Sequence, residues 1–262
     1  MAVKVTFFIP AGRGQTRFQD DLLRKLSGIS LIQRAIDKAR ELGGSDSSIH
    51  ILTDSDEVAL VGKRNDVSVF CKSPLSLENV TKNSDLKQYI EIAECESEIC
   101  AILSPYAPLL DLDVFRQATG HFIKTRACVL KPVRTISRRV FDQTNRANVN
   151  GLLSQQNEYH RLESISFALM APGLLAQGDQ VAVTVEAFEV DDSAFEIETL
   201  RDWWVCEKLL QRKRIIFHVI GNKRVGMGHV YRALSLAHEL HDHDILFVTD
   251  TKNQVAVEAI VQ

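Results

Sequence analysis

The chain has 262 residues, the length of one large α/β domain or of one ordinary domain with part of a second. Hydrophobic residues make up 45% and charged residues 25%, which excludes a disordered, collagen-like or coiled-coil chain. The 31 Lys and Arg against 34 Asp and Glu give a net charge of −3, so the charge does not point to nucleic acid or to an anionic membrane as a partner.

Apolar segments of strand length alternate with segments of helical periodicity along most of the chain. Strands are predicted at 3–9, 49–53, 67–71, 100–103, 127–133, 164–170 and 181–190. Helices are predicted at 31–42, 56–62, 85–94, 114–123 and 199–210, and Gly43 with Gly44 is expected to end the first of them. This alternation predicts an α/β domain in which helices cover both faces of a mainly parallel sheet.

The pattern is interrupted at residues 134–161, which are rich in Arg, Asn, Gln and Ser and have no steady period. An ordinary connection in a compact domain is about 4 to 6 residues long. We therefore expect this polar segment to be a functional insertion or an interface.

A second series of elements starts after residue 212. A strand is predicted at 215–221, a Gly-containing loop at 222–229, an amphipathic helix at 230–240 and another strand at 245–249. A unit of this size cannot bury both faces of its own sheet. We predict one whole domain at 1–212, followed at 213–262 by the N-terminal fragment of another α/β domain.

The sequence favours a cytoplasmic location. No basic leader with an apolar core precedes the first strand, and no apolar run approaches the ~20 residues of a membrane span. The five cysteines include no Cys-x-x-Cys pair, so the sequence suggests neither a disulfide framework nor a zinc ribbon.

The loop after the first strand contains the pattern expected of an anion site. Gly12 and Gly14 would let backbone N–H groups approach phosphate oxygens, and Arg13 and Arg17 would add charged donors. Ligands of α/β domains bind beyond the carboxyl ends of the strands, which is where this loop lies. Taken alone, a surface turn with two solvated arginines is an equally good interpretation.

Segments at four places in the chain together resemble the CMP-sialic acid synthetases, the N-acylneuraminate cytidylyltransferases. The first place joins Ile9-Pro10-Ala11 to 23–32 (LRKLSGISLI), and the others are 52–57 (LTDSDE), 103–109 (LSPYAPL) and 195–199 (FEIET). The resemblance covers residues 1–212 and depends on the order and spacing of the segments. It implies a three-layer, Rossmann-like domain of the nucleotide-diphospho-sugar transferase type.

The resemblance also implies an activity, the transfer of CMP from CTP to a sialic-acid-like nonulosonic acid with release of pyrophosphate. It implies a homodimer as well, in which the segment 134–161 reaches the partner's active site. The residues that it assigns are Arg13 and Arg17 for catalysis, Ala11, Gly12, Arg13, Gly14, Gln15, Arg24 and Lys72 for the nucleotide, Ser104 and Tyr106 for the sugar acid, and Glu196 and Glu198 for Mg²⁺.

The glutamate pair has a physical interpretation of its own. Glu196 and Glu198 alternate along an extended segment, so their carboxylates project to one side and could hold a hard divalent cation beside a triphosphate. A solvated acidic strand edge is the alternative, and only the spacing shared with the family favours the metal.

Several residues depart from the family pattern. Gly12 stands where the family has Arg, Asp21 where it has Lys, Ser104 and Tyr106 where it has Gln and Thr, and the two glutamates replace aspartates. Asp21 is expected to repel the triphosphate, so that Asp21→Lys would strengthen CTP binding. A second hypothesis therefore stays open, in which 1–212 is a catalytically degenerate module for ligand binding or dimerisation.

The fragment at 213–262 has a resemblance of its own. Residues 226–237 (GMGHVYRALSLA) resemble the opening of glycosyltransferase-B-like proteins, and most of all the nucleotide-sugar hydrolases of nonulosonic acid pathways. This resemblance implies that His229 is a general-base candidate. The alternative is a solvated histidine at a helix N-terminus.

Overall fold

The computed structural model describes residues 4–13, 17–44, 47–71, 97–137, 159–172, 185–221, 226–250 and 254–261. Within them the chain divides into two compact units, Met1–Cys206 and Glu207–Gln262. The domain boundary at 212/213 stays a prediction.

The predicted strands and helices that the structure describes in the first unit follow one another in the predicted order, and three further strands were not predicted. Its strands are β1 (Val5–Pro10), β2 (Lys25–Leu26), β3 (Ile29–Ser30), β4 (Ser48–Thr53), β5 (Ser68–Cys71), β6 (Ile99–Leu103), β7 (Val129–Ser137), β8 (Tyr159–Glu163), β9 (Phe167–Met170) and β10 (Val185–Glu189). Its helices are α1 (Leu31–Gly43), α2 (Asp56–Arg64), α3 (Leu112–Thr125) and α4 (Leu200–Gln211), the last of which continues past the division between the units.

One mostly parallel sheet organises the first unit. Its strand order is β10-β7-β9-β6-β1-β4-β5, with β8 paired to β7. Strands β5, β4, β1 and β6 run parallel, whereas β9 is antiparallel to both β6 and β7. The chain adds β4 and β5 on one side of β1 and then returns to place β6 on the other. The carboxyl ends of β1 and β6 are therefore neighbours at the point where the order of strand addition reverses. Open α/β sheets bind ligands at such a point.

Both faces of the sheet are packed because consecutive β1 residues point in opposite directions. The ring of Phe7 packs against Phe115 of α3 with centroids 5.8 Å apart, and Phe115 packs in turn against Phe167. The next residue, Phe8, stacks on His50 of β4 at 5.3 Å. The predicted mainly parallel α/β sheet is confirmed.

Helix α1 shows why the sequence pattern was informative. Its buried residues follow the helical period, and Ser30 caps its first turn by accepting a hydrogen bond from the Gln33 N–H at 3.4 Å. Gly44 ends it with φ 63°, a left-handed conformation that glycine adopts without strain. The buried residues are Leu31, Ile32, Ala35, Ile36 and Ala39.

The structure differs from the sequence-based elements at the polar segment. Strand β7 continues to Ser137 and β8 begins at Tyr159, and the two pair antiparallel, so both ends of 134–161 are strands rather than irregular chain. Hydropathy missed them because the side chains of β8 are mostly exposed, while a strand pair is held by backbone hydrogen bonds. Residues 138–158 and the predicted helix 85–94 lie outside the described residues.

The second unit is a β-α-β-α arrangement. Strands β11 (Arg214–His218) and β12 (Asp244–Val248) pair parallel, and helices α5 (Gly228–Glu239) and α6 (Gln254–Val261) complete the unit. Phe217 and Phe247 stack at 5.3 Å beneath residues of both helices, whereas Ile216 and Leu246, which point the other way, are 59% and 47% exposed. The sequence predicted β11, α5 and β12. It missed α6, whose residues are nearly all apolar and show no helical period.

None of the helices that the structure describes has the length and apolarity to span a membrane.

Candidate functional site

Two clefts in the first unit are lined by predicted site residues, Ala11 and Arg13 in one and Glu196 and Glu198 in the other. The first, called here the loop cleft, has a volume of about 370 Å³ and lies where β1 and β4 end. Its lining residues are Ala11, Arg13, Asp20, Asp21, Leu22, Leu23, Ser55, Glu57 and Val58.

The start of the loop after β1 is tied to the end of β4. The Ala11 N–H donates to the Leu52 carbonyl at 2.8 Å, and the Thr53 hydroxyl donates to the Ala11 carbonyl at 2.7 Å. The Arg13 N–H donates to the Asp54 carboxylate at 2.6 Å. This N–H therefore already has an acceptor within the protein, and that role of Asp54 was not predicted.

The side chain of Arg13 lies at the opening of the loop cleft. Its guanidinium is 3.6 Å from the Glu57 carboxylate, with both side chains largely exposed. The Ser55 hydroxyl donates to Glu57 at 2.7 Å, and this bond is the main reason that the pKa of Glu57 is lowered. Ion pairs between exposed side chains are weak because water screens their charges, so an anionic ligand could compete for Arg13.

Asp21 has a role that the sequence did not indicate. Its side chain is completely buried and accepts hydrogen bonds from the N–H groups of Arg17 at 2.6 Å and Leu22 at 2.7 Å. The Phe18 N–H and the Tyr106 hydroxyl also donate to it, at 3.4 and 3.0 Å. The expectation that Asp21→Lys would strengthen CTP binding must be corrected, because lysine would strand four donors and bury a cation among them.

Tyr106 and Ser104 use their polar atoms within the protein. The Tyr106 hydroxyl donates to Asp21, and burial together with the Asp21 charge raises the pKa of Tyr106, so this hydroxyl stays a donor. The buried Ser104 hydroxyl accepts the Tyr106 N–H at 3.2 Å. Their predicted contacts with the sugar acid stay a prediction.

Two aromatic rings lie beneath the arginines of the loop. The Arg17 guanidinium lies 5.5 Å from the ring centroid of Tyr106, and the Arg24 guanidinium lies 5.5 Å from that of Trp203. Phe18 meets Trp203 edge to face at 5.5 Å. These contacts hold both ends of the segment 17–24 against the body of the domain.

Lys38 of α1 supports the loop that contains Tyr106. Its ammonium donates to the carbonyls of Ala107 and Leu110 at 3.1 and 2.9 Å. Burial, with the nearby charge of Arg34, lowers the pKa of Lys38 to about 7. The sequence showed Lys38 only as a polar position of a helix, so this contact between α1 and the loop after β6 was missed.

The second cleft, called here the acidic cleft, has a volume of about 290 Å³ and contains the predicted metal pair. Ile197 is fully buried between Glu196 and Glu198, so the two carboxylates do lie on the opposite side from it, as alternation predicts. The residues lining this cleft are Arg134, Ile136, Leu162, Glu163, Ser164, Phe195, Glu196, Glu198 and Asp202.

The two glutamates have different environments. Burial raises the pKa of Glu196, and the charge of Glu198 adds to that effect, although Glu196 accepts a hydrogen bond from the Ser164 hydroxyl. Glu198 is exposed. A cation between the two carboxylates would offset the cost of burying the Glu196 charge and the repulsion between Glu196 and Glu198. The carboxylate oxygens therefore suit a hard divalent ion.

Asp202 lies in the same cleft but serves the helix. Its carboxylate accepts the Thr199 N–H and hydroxyl, both at 2.8 Å, and the Thr199 hydroxyl accepts the Asp202 N–H at 3.3 Å. This is the reciprocal capping arrangement of a helix N-terminus. Within the described residues, no group of three or more His, Cys, Asp or Glu side chains is arranged to hold a metal. An ion bound by Glu196 and Glu198 would thus have no third His, Cys, Asp or Glu ligand among the described residues.

One hydrogen bond joins the surroundings of the two clefts. The Ile197 N–H, between the two glutamates, donates to the Tyr106 carbonyl at 2.8 Å, and the Tyr106 hydroxyl donates to Asp21. The structure thus connects the loop after β1, the loop after β6 and the segment before α4.

The remaining predicted residues are less informative. Gly12 is buried beside Ala11, whereas Gly14, Gln15 and Lys72 lie outside the described residues. In the second unit, His229 is exposed in the first turn of α5. The roles predicted for these residues remain predictions.

Comparisons with known proteins show the fold of the chain. No family model matches it, and no curated protein matches it in sequence. Among solved structures it is similar to a CMP:2-keto-3-deoxy-manno-octonic acid synthetase complexed with CTP, with a TM-score of 0.60 and 13% identity over 79% of this chain and 98% of that one.

Two further structures agree. The 4-diphosphocytidyl-2C-methyl-D-erythritol synthase of Anaerococcus prevotii has a TM-score of 0.58 at 11% identity, covering 80% of this chain and 96% of that one. The bifunctional IspDF of Campylobacter jejuni has a TM-score of 0.56 at 14% identity, covering 76% and 54%. The predicted Rossmann-like fold of the nucleotidyltransferases is confirmed.

Proposed function

We propose that the chain transfers CMP from CTP to a sialic-acid-like nonulosonic acid. The observation that carries this proposal is that hydrogen bonds of Tyr106 connect the arginine-containing loop after β1 to the pair of glutamates. Both lie at the carboxyl ends of the strands in a domain whose fold is similar to that of a cytidylyltransferase. A triphosphate needs both features, because cations must balance its charge and carboxylates must hold its metal ion.

The proposed reaction is a displacement at the α-phosphorus of CTP. The anomeric hydroxyl oxygen of the sugar acid forms the new P–O bond, the bond from the α-phosphorus to the bridging oxygen of the β-phosphate breaks, pyrophosphate leaves, and the proton of the hydroxyl passes to water. Such transfer depends mainly on in-line positioning and charge stabilisation. Arg13 and Arg17 would bind the triphosphate oxygens. The hydrogen bonds of Tyr106 would fix the position of one cleft relative to the other. Mg²⁺ held by Glu196 and Glu198 would supply further positive charge at the phosphates.

The nucleotide preference tests this proposal. Calorimetric titration with CTP, ATP and GTP, with and without Mg²⁺, should show preferred binding of CTP that requires the divalent ion. Pyrophosphate release would then be measured with N-acetylneuraminate and with 2-keto-3-deoxy-manno-octonic acid as acceptors. If pyrophosphate release is faster with the octonic acid, then the octonic acid and not the nonulosonic acid is the substrate. Absence of release with both acids would contradict the enzymatic proposal.

A catalytically degenerate ligand-binding or dimerisation module is the second candidate. The observation in its favour is that the Arg13 N–H and the Asp21 carboxylate, both in the loop after β1, already have partners within the protein. Metal-dependent CTP binding without pyrophosphate release would support this candidate over the enzyme.

The homodimer belongs to the same proposal. In its favour, β7 and β8 extend both ends of the polar segment as a strand pair, and Tyr159 of that pair is 70% exposed. Sedimentation velocity at micromolar concentration should give the mass of a dimer. A monomer would remove the partner's contribution to the active site from the proposal.

The second unit is proposed to be the start of a glycosyltransferase-B-like domain with His229 as its general-base candidate. Its β-α-β order and the exposure of His229 support this proposal. Limited proteolysis tests the boundary at 212/213. The protease should cleave the chain near this boundary earlier in time than it cleaves within either unit. A first cut deep inside either unit would argue against that boundary.

A further inference from the structure

The segment 17–24 is organised around one buried carboxylate. Asp21 accepts the N–H groups of Arg17, Phe18 and Leu22, which lie on both sides of it in the chain. A carboxylate that accepts several N–H bonds locks the backbone around it, because moving any donor leaves a buried charge less satisfied. The conformation of this segment therefore depends on the charge of Asp21.

Tyr106 links this carboxylate to the side chain of Arg17. Its hydroxyl donates to Asp21 at 3.0 Å, and its ring lies 5.5 Å from the Arg17 guanidinium. Arg17 is thus held twice, through its N–H by Asp21 and through its guanidinium by the ring above which it lies. Both contacts come from the pair of Asp21 and Tyr106.

The contact with the Tyr106 ring does not use up the donors of the guanidinium. A cation–π contact involves the charge of the guanidinium, whose five N–H donors bind hydrogen-bond acceptors. Arg17 is exposed, and it forms no ion pair with any other described side chain. The forked donors of a fixed, exposed arginine match the oxygens of a phosphate chain.

We propose that Asp21 and Tyr106 are positioning residues that hold Arg17 ready to bind the polyphosphate of the nucleotide. This proposal rests on the proposed function for the identity of the nucleotide, but not for the phosphate contact itself. It assigns Asp21 an indirect and favourable effect on an anionic ligand, through the arginine that it fixes, in place of direct repulsion.

The experiment measures the affinity of the full chain for inorganic tripolyphosphate and for CTP with Mg²⁺. Asp21→Asn keeps the size of the side chain but removes the charge, and we expect tripolyphosphate binding to weaken about tenfold, or ~1.4 kcal/mol. Tyr106→Phe keeps the ring and removes only the hydroxyl, and we expect about threefold. Asp37→Asn and Tyr231→Phe, both at exposed positions, are the matched controls and should bind like the unchanged chain.

A double-mutant cycle distinguishes positioning from a general structural effect. If Asp21 acts through Arg17, then Asp21→Asn should cost nothing further once Arg17→Ala has removed the guanidinium. The proposal is overturned if Asp21→Asn weakens binding equally in both backgrounds, or if Arg17→Ala alone leaves tripolyphosphate affinity unchanged. Where Asp21→Asn does not fold, the same cycle with Tyr106→Phe decides.

The two proposals fail in different ways. Asp21 and Arg17 could prove coupled in tripolyphosphate binding while the chain shows no preference for CTP and releases no pyrophosphate. That result would contradict the proposed function and support the positioning role. CMP transfer by a chain whose Arg17→Ala variant binds tripolyphosphate normally would do the reverse.

Discussion

The segment 17–24 contains a fully buried carboxylate, Asp21, and the segment 195–199 a partly buried one, Glu196, yet the two groups have opposite surroundings. Asp21 meets four donors, three of them from its own segment. Glu196 meets the Ser164 hydroxyl and the Ile165 N–H, and a second carboxylate, Glu198, lies nearby. A carboxylate surrounded by donors holds the fold together, whereas one beside a like charge gains by binding a cation.

The difference has a consequence for the interpretation of charged residues in binding clefts. Both carboxylates lie in clefts that could hold a nucleotide, and counting charge alone would treat both as obstacles to its phosphates. The surroundings separate them, because Asp21 accepts four hydrogen bonds, whereas Glu196 accepts two and also lies near the charge of Glu198.

Reversing the charge of Asp21 should have the largest effect. Asp21→Lys strands four donors and buries an ammonium, so the free energy of unfolding should fall by at least about 3 kcal/mol. Urea unfolding followed by tryptophan fluorescence measures the change. Asp37→Lys, at an exposed position of α1, is the control and should stay within about 0.5 kcal/mol of the unchanged chain. Equal stability of the two variants would mean that Asp21 is not the centre of its segment.

Removing both glutamates of the acidic cleft should affect the ligand and spare the fold. Glu196→Ala with Glu198→Ala is expected to weaken metal-dependent CTP binding more than tenfold, a loss of over ~1.4 kcal/mol, as measured by calorimetry. The exposed Glu189 of β10, changed to alanine, is the matched control. Unchanged CTP affinity in the double variant would remove both glutamates from the site.

Thr199→Ala tests whether Asp202 belongs to the fold or to the metal site. The variant loses the capping hydroxyl of α4, so stability should fall by about 1 kcal/mol while CTP affinity in the presence of Mg²⁺ stays the same. Thermal unfolding and calorimetry measure the two quantities. A drop in affinity without a drop in stability would make the Thr199–Asp202 pair part of the acidic cleft.

The pH dependence of Glu196 should give the smallest effect. Because burial raises its pKa in the folded chain, folded Glu196 holds its proton more tightly than unfolded Glu196 does. Its contribution to stability therefore falls as pH rises from the unfolded pKa through the raised one. The difference in stability between Glu196→Gln and the unchanged chain should therefore favour the variant more at pH 8 than at pH 4, as measured by urea midpoints. An advantage at pH 4 that vanishes at pH 8 would reverse the assigned direction.

Regular elements of the first unit could be predicted because their signals are local. The apolar stripe of α1, its cap at Ser30 and its end at Gly44 all lie within fifteen residues, and the structure has the helix there. The strand pair of β7 and β8 was missed for the opposite reason, since its stability comes from backbone bonds between residues such as Ile136 and His160.

The candidate site was predictable only in part. The alternation of Glu196 and Glu198 about a buried Ile197 follows from strand geometry, and the structure agrees. The role of Asp21 could not be predicted, because its partner Tyr106 is 85 residues away along the chain. The same holds for Asp54, whose contact with the Arg13 N–H spans 41 residues.

The sequence by itself determined the α/β order of the elements and the placement of polar residues where strands end, because hydrophobic period and turn chemistry act between near neighbours. Only the tertiary structure decided which carboxylate is surrounded by hydrogen-bond donors and which lies near a second carboxylate. That outcome depends on the donors brought to each side chain when β1, β4 and β6 come together in the sheet. Charge is a property of a residue, whereas the cost or benefit of that charge depends on the groups around it.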